Sequence, residues 1–380
     1  MTEVRGECDE RFAAVRQTLE ATLADGRDVG ASACVVVDGE VVVDIWGGHA
    51  DAERTVPWER DTIINVWSTT KTMTALCALI LADRGEIDLD APVADVWPEF
   101  KANGKEQVLV RHLLGHTAGL PSWTEPVDAE LLYDWERACS LLADQAPWWE
   151  PGTASGYHAV TQGYLVGEVV RRASGKSLGT FFREEVAEPL GADFHIGTGP
   201  EHDDRCARVI PPPSLADQLA GADPESIALR ALSNPNLQAE QSWEEAWRRA
   251  EIPAAGGHGN ARSVATVQAA VSHGGEVFGT RLLSEAGAER IFEEQASGTD
   301  LVLGIPLTLG IGFGINSEET PLSPNPRTCF WGGWGGSLVV NDLDARMTVA
   351  YVMNRMGMGT VGDDRGIGVL LGAYQGLAAS

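Results

Sequence analysis

Only four lysines occur in the 380 residues, Lys71, Lys101, Lys105 and Lys176, and one of them stands three places after a serine. The segment Ser68-Thr69-Thr70-Lys71 lies where a short apolar stretch turns into a strongly apolar helix. Residues three apart share a helix face, so the Lys71 amine can reach the Ser68 hydroxyl. A lysine pressed into such a setting loses charge easily, and a neutral amine is a competent general base. Chemistry alone leaves Thr69, Thr70 and Thr72 open as nucleophiles, but only Ser68 has this partner at this spacing. The plainer alternative makes Ser68 a helix N-cap and Lys71 a surface residue. Free N–H groups at a helix start favour a developing anion. The Ser68 N–H can then donate to an oxyanion while Lys71 takes the hydroxyl proton.

A leaving group needs a second proton carrier. Gly156-Tyr157-His158-Ala159 precedes a helical segment, where a tyrosine can project from a loop into a cleft. A phenol beside a lysine is expected to have a depressed pKa and to act as general acid or base. His158 reads as a structural loop histidine. The third group is Trp331-Gly332-Gly333-Trp334-Gly335-Gly336-Ser337, glycine-dense inside an apparent strand, a sign of close approach by a ligand or another backbone. One N–H of this run would complete the oxyanion hole opposite Ser68. Because Trp-Gly-Gly is repeated, the donor is Trp334 N–H or Ser337 N–H, and the first Trp-Gly-Gly is favoured. Gly175-Lys176-Ser177-Leu178-Gly179 also fits a GxSxG pattern, which works only on a strand–turn–helix elbow. Here a helical segment precedes it, and Ser177 reads as the N-cap of the next helix.

These groups must be positioned by recognisable elements. Residues 8–24 read as an amphipathic helix, with Phe12, Val15, Leu19 and Leu23 on one side. Residues 31–37 and 41–46 are β-rich runs joined by Asp38-Gly39-Glu40, a hairpin signal. A short extended piece, 62–66, leads into Ser68, and the helix beyond it buries Met73, Leu76, Cys77, Ile80 and Leu81 before stopping at Arg84-Gly85. Helices are expected at 129–145, 160–173, 178–188, 242–250, 262–273 and 284–294. A long Pro-rich stretch from about 193 to 236, containing Pro211-Pro212-Pro213, has the character of a lid or site rim. Strands are expected at 307–315, 328–331, 336–341 and 346–353, then a helix at 364–377.

Composition narrows the function classes. The chain is 44% apolar and 22% charged, ordinary for a soluble globular protein. A formal net charge of -27 argues against nucleic acid or an anionic membrane as partner and fits a neutral or apolar small molecule. The first fifteen residues lack the apolar core of a signal peptide, and no run of about eighteen apolar residues exists to span a membrane. The six cysteines are scattered without CxxC pairing, as in a reduced cytoplasmic protein. No HExxH unit occurs, and neither a metal nor a cofactor is expected.

Taken together, Ser68-x-x-Lys71, Tyr157 and Trp331-Gly332-Gly333 resemble the motifs of the serine β-lactamase and penicillin-binding-protein superfamily. His112-Leu-Leu-Gly-His-Thr-Ala-Gly-Leu-Pro121 and Pro253-Ala-Ala-Gly-Gly-His-Gly-Asn-Ala261 resemble its class C branch, and the chain is most similar to the family VIII carboxylesterases, from about residue 10 to 375. The resemblance implies an α+β, β-lactamase-like fold: an antiparallel sheet flanked by helices (1–84 and 291–380) with an inserted mainly helical domain (85–290). It implies Ser68 as the acyl-forming nucleophile, Lys71 and Tyr157 as its base pair, and Trp331, Gly332, Gly333 and Trp334 around the oxyanion and substrate.

Two departures from the lactamase pattern bear on substrate. Ala159 stands where the resemblance expects an asparagine that would hold an antibiotic's amide, and Trp331 where it expects a lysine that would attract a carboxylate. Both favour an uncharged small-molecule ester, short-chain or bulky, with Trp331 as an apolar wall. The alternatives on this scaffold are a β-lactamase, a D-amino-acid peptidase or amidase, and an acyltransferase to an alcohol.

Overall fold

The computed structural model describes residues 3–212, 221 and 223–379. Among them the strands, in chain order, are β1 (Val4–Cys8), β2 (Gly30–Val37), β3 (Glu40–Gly48), β4 (Ile64–Asn65), β5 (His258–Gly259), β6 (Glu276–Val277), β7 (Thr280–Arg281), β8 (Ala296–Thr299), β9 (Pro306–Leu309), β10 (Gly314–Ile315), β11 (Thr328–Gly332), β12 (Leu338–Asp342) and β13 (Met347–Met353). Nine of them form one antiparallel sheet in the order β1-β3-β2-β13-β12-β11-β10-β9-β8. The two ends of the chain therefore meet at β2 and β13, where Val35 lies opposite Val349.

Every residue of β13 is buried, because both faces of the sheet are covered. Thr348 bonds Ser272 of the helix Ala261–Ser272 on one face. Tyr351, three places on and so on the opposite face, packs against Gly366 of the terminal helix Asp364–Ala378. The helix Ala13–Ala24 lies beside that terminal helix, giving a helix–sheet–helix sandwich. The helix Thr70–Asp83 is buried on all sides from Thr70 to Leu81 and runs against Thr161–Ser174 and Leu178–Phe182. A helix hydrophobic all round belongs in a core, and this one carries Lys71 inside with it.

The hairpin turn forms at Asp38 (φ 51) and Gly39 (φ 80), both left-handed as a two-residue primed turn requires. Several expected boundaries shift. The first helix begins only after a 3-10 turn, Glu10–Phe12, because Val4–Cys8 is the edge strand β1, whose exposed Arg5 and Glu7 give no apolar alternation to read. The piece 62–66 contributes only β4, which pairs with β5 away from the main sheet. The run 307–315 is broken at Gly312 (φ 81) into β9 and β10, and β8, short and polar at the other edge, carries no strand signal. Gly336 (φ 129), expected to open a strand over 336–341, lies instead in a turn with Gly335 (φ 93), so β12 starts at Leu338. Within 193–236 the structure contains a 3-10 turn, Pro200–Arg205, and the helix Ile227–Leu232, while Pro213 and most of the residues after it up to 222 lie outside the described residues.

Candidate active site

Ser68 is set by a strained turn. Trp67, directly before it, has φ 49, a left-handed conformation that a bulky side chain adopts only when its surroundings impose it. Here the Trp67 indole is wedged between Trp247 (5.5 Å between ring centroids) and Trp334 (4.9 Å). The chain then enters the 3-10 turn Trp67–Thr69 and the helix Thr70–Asp83.

The neighbouring threonines are committed elsewhere. Thr69 Oγ1 is 2.9 Å from Ser337 Oγ, Thr70 Oγ1 donates to Trp67 O at 2.6 Å, and Thr72 Oγ1 donates to Thr69 O at 2.8 Å. All three are fully buried. Ser68 is the hydroxyl of this run that faces a cavity.

Lys71 Nζ lies 3.1 Å from Ser68 Oγ, 2.7 Å from Ala159 O and 3.0 Å from Ala254 O. No carboxylate among the described residues pairs with it, and burial pushes its pKa well below the ordinary 10.5. A neutral amine has two N–H groups and one lone pair. Two of its three neighbours are carbonyl oxygens, which only accept, so both N–H groups go to Ala159 and Ala254. The lone pair is left for the Ser68 hydroxyl hydrogen.

Tyr157 Oη donates to Ser68 Oγ at 2.5 Å, and Lys71 Nζ sits 4.7 Å above the phenol ring. The expected depression of the phenol pKa is not found. Burial, the largest influence, pushes it up, and a lysine driven toward its neutral form supplies little charge to lower it. Tyr157 is therefore a proton donor at rest, and the hydrogens run in one direction, from Tyr157 to Ser68 to Lys71.

The glycine run closes the other side. A Cβ on Gly333 would lie 3.3 Å from Ser68 N and would collide with Val66 O and the Ser337 hydroxyl, so only glycine allows this approach. A Cβ on Gly332 would collide with the backbone at Val361 and Gly362. The main-chain N–H groups of Ser68 and Trp334 have no protein acceptor among the described residues. Trp334 lines the cavity with Ser68, whereas Ser337 is turned inward with its hydroxyl donating to Val66 O at 2.9 Å.

The cavity beside Ser68 measures about 100 Å³. Its apolar walls are Trp67, Trp123, Val160, Leu232, Leu237 and Trp334, and none of its lining residues among those described carries a charged side chain. Trp331 is not in this wall. It is 1% exposed and lies behind Tyr157, with ring centroids 5.7 Å apart, so the expectation of an apolar substrate wall at this position passes to Trp334 and Trp67. Of the other tryptophans, Trp123 lines the cavity, Trp247 supports Trp67, and Trp243 is exposed on the surface.

The family model for the beta-lactamases matches residues 15–373. The chain belongs to the beta-lactamase family. It is 35% identical over 365 residues to the esterase/beta-lactamase LipL of Mycobacterium tuberculosis (strain ATCC 25618 / H37Rv), an alignment covering 93% of this chain and 83% of that one. Among solved structures it is similar to a family VIII carboxylesterase, with a TM-score of 0.91 at 43% identity over 98% of this chain and 100% of the other. A penicillin-binding protein homologue from Caulobacter crescentus gives 0.89 at 39% identity over 98% and 100%.

Further residues hold the site in place. Asp300 Oδ1 accepts the main-chain N–H of Tyr157 at 3.0 Å. His158 is a scaffold residue: its Nε2 accepts Leu120 N–H at 3.0 Å, its Nδ1 donates to Gly156 O, and burial holds it neutral with a pKa of about 3. Its own N–H donates to His116 Nδ1 at 3.1 Å, and the His116 ring stacks on Trp331. Arg365 Nη2 donates to Gly335 O at 2.7 Å while Nη1 bonds Asp28 at 2.8 Å, tying the glycine run to the start of the terminal helix. Ser177 caps Leu178–Phe182 and donates to Glu251 at 2.6 Å. Among the described residues no three His, Cys, Asp or Glu side chains converge on a metal position, and no helix is long and apolar enough to cross a membrane.

Proposed function

We propose that this chain is a carboxylesterase that cleaves small uncharged esters through an acyl-enzyme on Ser68. The observation that carries this reading is the hydrogen-bonded set Tyr157–Ser68–Lys71 opening into a cavity whose described lining carries no charged side chain. Ser68 Oγ attacks the ester carbonyl as its proton passes to the neutral Lys71 amine. The carbonyl oxygen takes up negative charge between the N–H groups of Ser68 and Trp334. Tyr157 gives its proton to the departing alcohol oxygen as the C–O bond breaks. In the second half, water attacks the acyl group and gives a proton to the Tyr157 oxygen. Ser68 then leaves with the proton held on Lys71, which restores both groups.

The size and polarity of the cavity support the substrate class. Ligand pockets for drug-sized molecules begin near about 300 Å³, and this one offers about 100 Å³. An anionic β-lactam would find no cation in the wall and no amide at Ala159. The name of the LipL relative joins esterase and β-lactamase, so β-lactam turnover is the second reading to measure.

Steady-state kinetics on p-nitrophenyl butyrate and nitrocefin decide between them. The expected result is a kcat/KM at least ~100-fold higher on the ester, since lost polar contacts cost that much discrimination. Faster turnover of nitrocefin would overturn the assignment. Ser68→Ala should retain less than about 1% of the activity because the covalent route is lost.

A further inference from the structure

We infer that the indole N–H of Trp331 stabilises Tyr157 as a phenolate while the acyl group sits on Ser68. This rests on the proton itinerary above. Once Tyr157 has given its proton to the alcohol, the Oη electron pair stays behind as a negative charge until water restores the proton. A charge so deep in the protein needs donors fixed around it.

The structure supplies one that is idle at rest. Trp331 is 1% exposed, and its Nε1 makes no hydrogen bond of good geometry. Buried polar atoms are almost always satisfied; Trp46, Trp58 and Trp67 also bury an indole N–H without a partner among the described residues, and Trp331 differs from them in lying against the Tyr157 ring. Its ring lies against the Tyr157 ring, with centroids 5.7 Å apart and planes 41° from parallel, and its N–H favours the ionised phenol. The indole is held by His116, stacked on it with ring centroids 5.6 Å apart and planes 22° from parallel. If Trp331 served only to fill space, a phenylalanine would do so without burying an unpaired donor.

The charged and titratable groups facing Tyr157 are few. Lys71 lies over the ring and becomes a cation in the acyl-enzyme, and Asp300 holds the Tyr157 N–H and disfavours the phenolate. His116, edge-on at 5.1 Å, and His158 beyond it are held neutral by burial. Trp331 is thus the neutral donor packed beside the phenol, and on this inference its N–H engages when Oη is charged. The residue acts through Tyr157 and is a positioning residue: it lies outside the substrate cavity.

A rapid-mixing experiment with a slowly deacylating p-nitrophenyl ester tests this by near-ultraviolet difference spectroscopy. The wild-type acyl-enzyme should show one tyrosinate band that is absent from the free enzyme and from Tyr157→Phe. Absence of that band from the wild-type acyl-enzyme would overturn the inference whatever the variants do. Trp331 is then replaced by phenylalanine and by the isosteric benzothienyl amino acid, which keeps the shape and lacks the N–H. Loss of one preorganised donor predicts a fall in kcat of ~10- to 100-fold with KM within about threefold, a weaker tyrosinate band, and a pH optimum moved upward. A benzothienyl variant with wild-type kcat, band and pH profile would overturn the inference alone, provided a serine-directed phosphonate still labels Ser68. Failure of the phosphonate to label wild-type Ser68 would overturn the esterase reading and this inference together.

Discussion

The main-chain N–H of Tyr157 and the buried carboxylate of Asp300 are joined by a 3.0 Å hydrogen bond across 143 residues of sequence. The same Oδ1 accepts the N–H groups of Val302 and Leu303 at 2.9 Å each, so one oxygen pins the tyrosine loop to the turn between β8 and β9. Asp300→Ala would orphan three N–H groups. We expect a stability loss of about 1–3 kcal/mol in urea unfolding and a kcat reduced by ~10-fold as Oη drifts from Ser68. Asp300→Asn keeps an acceptor oxygen and should recover most of both.

Lys71 should act only as the free amine. Its native pKa is depressed, so kcat/KM is expected to fall as pH drops through that lowered value and to be indifferent to pH near 10.5. Lys71→Arg, which cannot deprotonate, should lose at least ~1,000-fold in kcat at every pH with its circular dichroism unchanged. The same shift has a sign for stability. The unfolded chain holds a proton that the native site rejects, so the cost of Lys71 is largest at low pH and fades as pH rises toward 10.5. The melting temperature of Lys71→Met relative to wild type should therefore be most favourable at acid pH and decline as pH rises.

Gly333→Ala places a methyl group against Val66 O and the Ser337 hydroxyl, 3.3 Å from Ser68 N. The strand end must back away, taking the Trp334 N–H with it. A kcat loss of ~100-fold on p-nitrophenyl butyrate is expected, typical of losing one oxyanion donor, with KM little changed.

Trp334→Ala should enlarge the cavity, because its indole forms a wall edge-on to Trp67 at 4.9 Å. The ratio of kcat/KM on p-nitrophenyl octanoate to that on the butyrate should rise by ~10-fold or more, the worth of a few methylene contacts. An unchanged ratio would show that chain length is limited elsewhere.

Much of the site was legible because its logic is local. Ser68 and Lys71 meet because residues three apart on a helix share a face, and the Asp38-Gly39 turn forms because those residue types tolerate positive φ. Strands β2, β11, β12 and β13 announced themselves by residue type, being buried. The edge strands β1 and β8 did not, since half-exposed polar strands are specified by the partner they pair with.

What the sequence by itself determined was a serine and a lysine at helical spacing, a tyrosine loop and a glycine run that lets backbones approach. Only the tertiary structure decided how protons are arranged among them. It set two carbonyls, Ala159 O and Ala254 O, against the Lys71 N–H groups, and so left the lone pair to Ser68. It also raised the Tyr157 pKa where adjacency to lysine suggested lowering, and packed Trp331 behind the phenol, outside the substrate cavity. Protonation and donor direction depend on burial and on groups brought together from distant parts of the chain, and neither is encoded in any short stretch of residues.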